Sequence, residues 1–205
     1  SSDLKVEEFF QNSINKNNFY ATYDPYAYSK ADFIIVDINL DVQKQSTELN
    51  ELTSYNVDIT NFKLALSSIG KNCKEDVCVL IETTVPPGTT KIAATILEDE
   101  LALRGLPTNS FSLGHSYERV MPGPNYIDSI QNFYRVFSAI DKKSEDAIEN
   151  FLKTIIKTDE YPLTKLNNTN ATEMSKVLEN SFRAMNIAFI VEWSRFAEDA
   201  GVNLY

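Results

Sequence analysis

A chain of 205 residues, 43% hydrophobic and 23% charged, has the composition of a globular domain, with room for one core and a projecting element. Its net charge of −10 argues against a nucleic-acid surface, because phosphate contacts need clustered Lys and Arg. No apolar run approaches the roughly 20 residues of a membrane span, the first ten residues lack the apolar core of a signal peptide, and Cys73 and Cys78 are too few for a disulfide scaffold or a zinc cluster. A cytoplasmic protein is expected, with no metal, nucleic acid or membrane as partner.

The opening segment carries an amphipathic piece (Leu4, Val6, Phe9, Phe10, Ile14) and a Tyr-rich stretch. All six glycines lie at or after Gly70, and no two are spaced G-x-G. A dinucleotide fold opens with that Gly-rich turn, where the backbone approaches a pyrophosphate at a helix N-terminus. Either the sheet is of another kind, or its first two strands lie outside this chain. Residues 32–38 are apolar on both faces, as in a strand between helix layers. Residues 58–70 predict a helix with Asp58 as N-cap, Ile59, Phe62, Leu66 and Ile69 on one face, and Gly70 at the stop. Residues 77–81 form a second buried strand, which runs through Thr83–Thr90 into a helix ending near Leu103. Residues 111–116 and 134–139 read as strands around a turn-rich loop with Pro122, Gly123 and Pro124. A helix over 144–157 carries Ile148, Phe151, Leu152, Ile155 and Ile156 on one face. The alternation of β-branched runs with helices is that of an α/β protein around a parallel sheet.

The last segment is the most regular. Asn170 followed by Glu173 resembles a capping box. Met174, Leu178, Phe182, Met185, Phe189, Trp193, Phe196 and Ala200 recur at steps of four and three, which predicts a helix of about 30 residues. Helices of that length connect domains or form subunit interfaces. Glu173, Glu179, Glu192 and Glu198 read as solvated positions on it.

Three constellations could carry chemistry, and each has a plain structural alternative. In ETTVPPGTT, Thr83 and Thr84 stand at the carboxyl end of a strand, where open α/β sheets bind ligands, and the helix after Gly88 offers unpaired N–H groups. The same residues also read as a Pro-Gly turn with Thr caps. In GHSYERVMPGPN, a carboxylate at Glu118 could act as a general base and Arg119 could pair with it or bind phosphate, whereas the lone His115 reads first as a hydrogen-bonded structural residue. Lys176, Asn180 and Arg183 share one helix side beside the apolar stripe. There a Lys can donate to an oxyanion, or the three can form a solvated face.

Taken in order, ADFIIVDINLDV, VLIETTVPPGTT, HSYERVMPGPNYIDSI and ATEMSKVLENSFRAMNIAFIVEWSRFAEDAGVNL resemble the UDP-glucose/GDP-mannose dehydrogenase family. The resemblance implies an NAD-dependent oxidation of the C6 alcohol of a nucleotide-linked sugar to a carboxylate, through an aldehyde and a cysteine thioester. By position it implies catalytic roles for Thr84, Glu118, Lys176 and Asn180. It implies cofactor contacts for Val36, Thr83 and Thr84, and substrate contacts for Arg119, Val120, Lys176 and Asn180. Two departures stand out: Tyr117 replaces a Pro, and residues 37–40 replace a V-P-T-P segment. The G-x-G-x-x-G turn and the later G-G-x-C segment are not in the chain, and neither Cys73 nor Cys78 matches the nucleophile. The expectation is therefore an incomplete Rossmann-like parallel sheet with flanking helices (residues 1–165), followed by a long connecting and dimerisation helix (166–205). The resemblance places the family's C-terminal nucleotide-sugar domain outside these 205 residues. Such a piece is expected to be a homodimer through residues 170–200 and inactive alone; the alternative is a non-catalytic interaction module derived from such an enzyme.

Overall fold

A computed structural model describes residues 4–40, 57–118, 120 and 123–203. In chain order these form α1 (Leu4–Asn15), a 3-10 turn (Pro25–Lys30), β1 (Phe33–Val36), α2 (Thr60–Asn72), β2 (Val77–Ile81), α3 (Thr89–Leu103) and β3 (Phe111–His115). Then follow α4 (Tyr126–Gln131), β4 (Val136–Ala139), α5 (Lys142–Ile155), β5 (Thr164–Lys165) and α6 (Thr169–Asp199).

The strands join in the order β1-β2-β3-β4-β5. β1, β2 and β3 run parallel, with Val36 opposite Ile81 and Ile81 opposite His115. The sheet is mixed, not wholly parallel as expected: β4 is antiparallel to β3, and β5 is parallel to β4. The reason lies in the connection. Among the described residues between β3 and β4 the only helix is the short α4, not a crossover helix, so the chain returns beside β3 in the opposite sense.

Side chains alternate across β2 with period two. Val77, Val79 and Ile81 join Phe62 and Leu66 of α2 and Leu97 and Leu101 of α3 in one core, while Cys78 and Leu80 join Phe137, Ile148 and Leu152 on the other face. β1 departs from the expectation of burial on both faces. Ile34 and Val36 are buried, but Phe33 and Ile35 are 42% and 40% exposed. β1 is the sheet's edge among the described residues, and on its outer face Phe33 stacks on Phe151 of α5 with ring centroids 4.7 Å apart.

Helix ends shift by a few residues from the sequence pattern, for identifiable reasons. Asp58 does accept from Thr60 N at 2.9 Å, but α2 runs on past Gly70 to Asn72. Gly70 is a close-approach residue, since a Cβ there would lie 2.7 Å from Glu100 Cβ on α3. α5 starts at Lys142 because the Asp141 side chain caps Ser144 N at 2.7 Å. α6 is capped by Asn168, which accepts from Ala171 N at 3.0 Å, so the Asn170–Glu173 capping box does not form. Of α6's 31 residues only Thr169, Thr172, Glu173 and Ala197 are buried. No helix among the described residues is long and apolar enough to cross a membrane.

Candidate functional site

The carboxyl ends of β1, β2 and β3 face the first turns of α6 across a cleft of about 630 Å³. Asp37 follows β1; Glu82 and Thr84 follow β2; Glu118 and Val120 follow β3; Lys176, Glu179, Asn180 and Arg183 come from α6. Phe133 and Phe182 complete the wall. The topology makes this gathering unavoidable. Parallel strands bring their carboxyl ends to one edge, and helix steps of three and four put Lys176, Asn180 and Arg183 on one side of α6.

Lys176 is held from two sides. Its Nζ donates to Glu118 O at 2.9 Å and sits 5.2 Å from the centroid of the Tyr117 ring. Tyr117 is buried, so its π face forms a fixed bed for the ammonium, and this gives the residue that stands in place of Pro a physical role. Glu118 Oε1 is buried without a hydrogen-bond partner among the described residues. An acceptor in that state is ready for a donor supplied by water or ligand.

Glu82 and Arg135 form a largely buried ion pair at 3.0 Å. Burial pushes the Glu82 carboxyl above the usual range, the Arg135 charge opposes this, and the charges of Glu118 and Asp37 add to the rise. The inner wall is thus rich in carboxylates, with Arg135 behind it and Lys176 and Arg183 on the α6 side. The sequence reading missed Glu82, although it directly precedes Thr83 and the same strand-end argument reaches it. Arg135 is 53 residues away, and nothing local marks the pair.

The remaining predicted residues fall as follows. Thr84, Glu118, Val120, Lys176 and Asn180 meet at the cleft. Val36 is buried as the last residue of β1. The Thr83 hydroxyl donates to Val36 O at 3.2 Å and accepts from Ile38 N at 2.7 Å, so it ties the ends of β1 and β2 together and does not face the cleft. Arg119 lies outside the described residues. His115 is fully buried, with Nε2 3.3 Å from Thr83 O and Nδ1 without a partner among the described residues. Burial is the main cause that pushes its pKa down to about 4, with the Lys176 charge assisting and the Thr83 carbonyl opposing, so the ring is a neutral structural group. Both thiols are free and buried. Cys73 caps the end of α2 and Cys78 lies near the amino end of β2, pushed up to about 11 by burial, far from a reactive thiolate.

Glu173 overturns two expectations together. It is fully buried rather than solvated. Its Oε2 accepts from Gly88 N at 2.6 Å, and its Oε1 accepts from Thr90 N at 2.7 Å and Thr90 Oγ1 at 2.6 Å. The N–H groups expected to be open at the start of α3 are therefore engaged by a carboxylate from α6.

The family model described as UDP-glucose/GDP-mannose dehydrogenase family, NAD binding domain, matches residues 3–157. The chain belongs to this family. Among curated relatives, UDP-N-acetyl-D-mannosamine dehydrogenase of Pyrococcus horikoshii is 32% identical over 149 residues, 72% of this chain and 34% of that protein. Protein CapL of Staphylococcus aureus is 25% identical over 189 residues, 92% of this chain and 41% of that protein. Among solved structures, a UDP-D-ManNAc dehydrogenase from Pyrococcus horikoshii superposes with a TM-score of 0.79 at 25% identity, covering 95% of this chain and 43% of that one. A GDP-mannose dehydrogenase from Pseudomonas aeruginosa also gives 0.79, at 20% identity, over 97% of this chain and 43% of that one, a likeness of fold. The chain thus spans 34 to 41% of the length of these two curated relatives.

NAD is the cofactor of the matched domain. At the carboxyl edge, the exposed Thr84 and Lys176 line the same cleft and are the groups that would meet its reactive end. The described residues offer no pyrophosphate site at the start of α3, because Glu173 occupies Gly88 N and Thr90 N.

Proposed function

We propose that this chain is the central part of an NAD-dependent nucleotide-sugar 6-dehydrogenase, which oxidises the C6 alcohol of a UDP- or GDP-sugar to the uronate in the cytoplasm, and that it does not turn over substrate alone. The reading is supported by one observation above others: Thr84, Glu118, Lys176 and Asn180, drawn from three separate stretches of sequence, line a single cleft. When bound, NAD supplies the hydride acceptor. Lys176, restrained at Glu118 O and over Tyr117, donates to the oxygen that gains negative charge as the C6 carbon changes oxidation state. Glu118, whose buried Oε1 has no hydrogen-bond partner among the described residues, takes a proton from water or a hydroxyl. Asn180 offers two N–H donors and a carbonyl to orient that water, and the Thr84 hydroxyl faces the reacting carbon. Val120, with Arg119 before it, contacts the sugar.

Support for the dimer comes from α6, where Phe182, Phe189, Trp193 and Phe196 are each more than half exposed. An apolar ridge of that kind marks an interface. The second reading, a non-catalytic interaction module, is favoured by the same ridge.

Turnover in the protein encoded by the whole gene around this chain separates the two. With NAD and a series of UDP- and GDP-sugars, NADH absorbance should rise and mass spectrometry should find the uronate. Lys176→Ala should lower kcat by about 10²-fold or more, the scale of losing one oxyanion donor. An undiminished rate in that variant sinks the assignment of Lys176, and no turnover with any sugar favours the module. The 205-residue chain itself should give no NADH.

A further inference from the structure

The cap of α3 comes from far away. Gly88, the N-cap residue, has φ +99 and no side chain to offer. The acceptor is Glu173, 85 residues along the chain. A local Ser or Asp would satisfy the same N–H groups without tying α3 to α6. A buried carboxylate is costly unless its partners are complete. Here two backbone N–H groups and a hydroxyl, with the positive end of a 15-residue helix, meet that need.

The residue before it makes a second tie. Thr172 Oγ1 lies 2.7 Å from Ser138 Oγ on β4 and also donates to Thr169 O. Thr172 and Glu173 thus bind the start of α6 to β4 and to α3. Beyond them α6 has no buried residue until Ala197. Lys176 follows Glu173 by one helical turn and Asn180 follows by two. On the other side, Thr84 belongs to the Pro-Pro loop that ends at Gly88. The Glu173 carboxylate therefore joins the element that carries one wall of the cleft to the loop that carries the other.

We propose that Glu173 is a positioning residue: by capping α3 from α6 it holds Lys176 and Asn180 against Thr84 and Glu118. What those four residues do rests on the dehydrogenase reading; what Glu173 holds in place does not.

The test uses the 205-residue chain and a limiting dose of an amine-acetylating reagent, with each lysine quantified by mass spectrometry well below the melting temperature. In Glu173→Gln one carboxylate oxygen becomes an NH₂ that faces an N–H donor. Acetylation of Lys176, relative to the half-buried Lys74, which pairs with Asp32 at the amino ends of β1 and β2, should rise about tenfold, the factor carried by one hydrogen bond to a charged group. Thr90→Val removes one of three donors and leaves both backbone N–H groups on the carboxylate, and should give the smaller rise, about threefold, the low end for one hydrogen bond. General loosening would free Lys74 as well as Lys176, so the ratio isolates position from stability. An unchanged ratio in folded Glu173→Gln overturns the proposal; should that variant not fold, an unchanged ratio in Thr90→Val does so. A parent enzyme without dehydrogenase activity would overturn the proposed function and leave the ratios as they are, so the two failures are distinct.

Discussion

His115 sits at the end of β3 with its ring enclosed and one nitrogen against Thr83 O. Its pKa is about 4, against an ordinary value of 6.5, so the unfolded chain binds a proton before the folded one does. The group's contribution to stability is therefore complete above the unfolded value. It is lost as pH falls from about 6.5 to about 4 and is constant below that, because ∂ΔG/∂pH is positive wherever the unfolded state holds more protons. The span corresponds to about 3 kcal/mol. Denaturant melts across this range should show a correspondingly flatter pH profile in His115→Gln, which keeps a donor for Thr83 O. Equal profiles in the two proteins would remove the argument. The same enclosure keeps the ring away from the cleft, whose lining does not include His115.

Among the elements, the β3–β4 pair is a close joint and one that the sequence pattern misstates. β4 was expected to continue a parallel sheet, and it runs antiparallel, with Gly114 opposite Ala139. A Cβ at Gly114 would come within 2.3 Å of Ser138 O and 2.4 Å of Ile148 Cδ1. The first contact is backbone and cannot rotate away, so Gly114→Ala should cost about 3 kcal/mol or more. A change of less than about 1 kcal/mol in chemical denaturation would mean that the strands separate easily. Because Ser138 also meets Thr172 of α6, the defect should reach the cleft. β2 and α3, by contrast, match the sequence reading almost residue for residue. An unbroken apolar run bounded by turns has one low-energy solution, a strand buried on both faces, and Pro-Pro-Gly leaves α3 one place to begin. β1 has an equally apolar sequence yet leaves Phe33 and Ile35 partly open, because edge position depends on what packs beside a strand.

At the scale of the molecule, α6 runs on past the residues that line the cleft and carries Phe189, Trp193 and Phe196 into solvent. Trp193 packs on Phe189 and Phe196 of its own helix, at 6.0 and 5.6 Å between centroids, and all three stay more than half exposed. An unpartnered ridge of that composition favours self-association. Sedimentation should give a dimer whose population falls on dilution, and Trp193→Glu should give a monomer, since a carboxylate at the centre of an apolar interface lacks a partner. A monomer at all concentrations in the unsubstituted chain would refute the interface.

What the sequence by itself determined is the α/β class, the long last helix and the family; it also singled out Thr84, Glu118, Lys176 and Asn180, which meet at one cleft. These follow from periodicity, which reports on local geometry, and from motifs, which report on ancestry. Only the tertiary structure decided the antiparallel β4, the open face of β1, the buried Glu82–Arg135 pair and the burial of Glu173. Each depends on groups tens of residues apart meeting in a low-dielectric interior. No local pattern distinguishes a glutamate on a helix surface from one whose partners arrive from another helix.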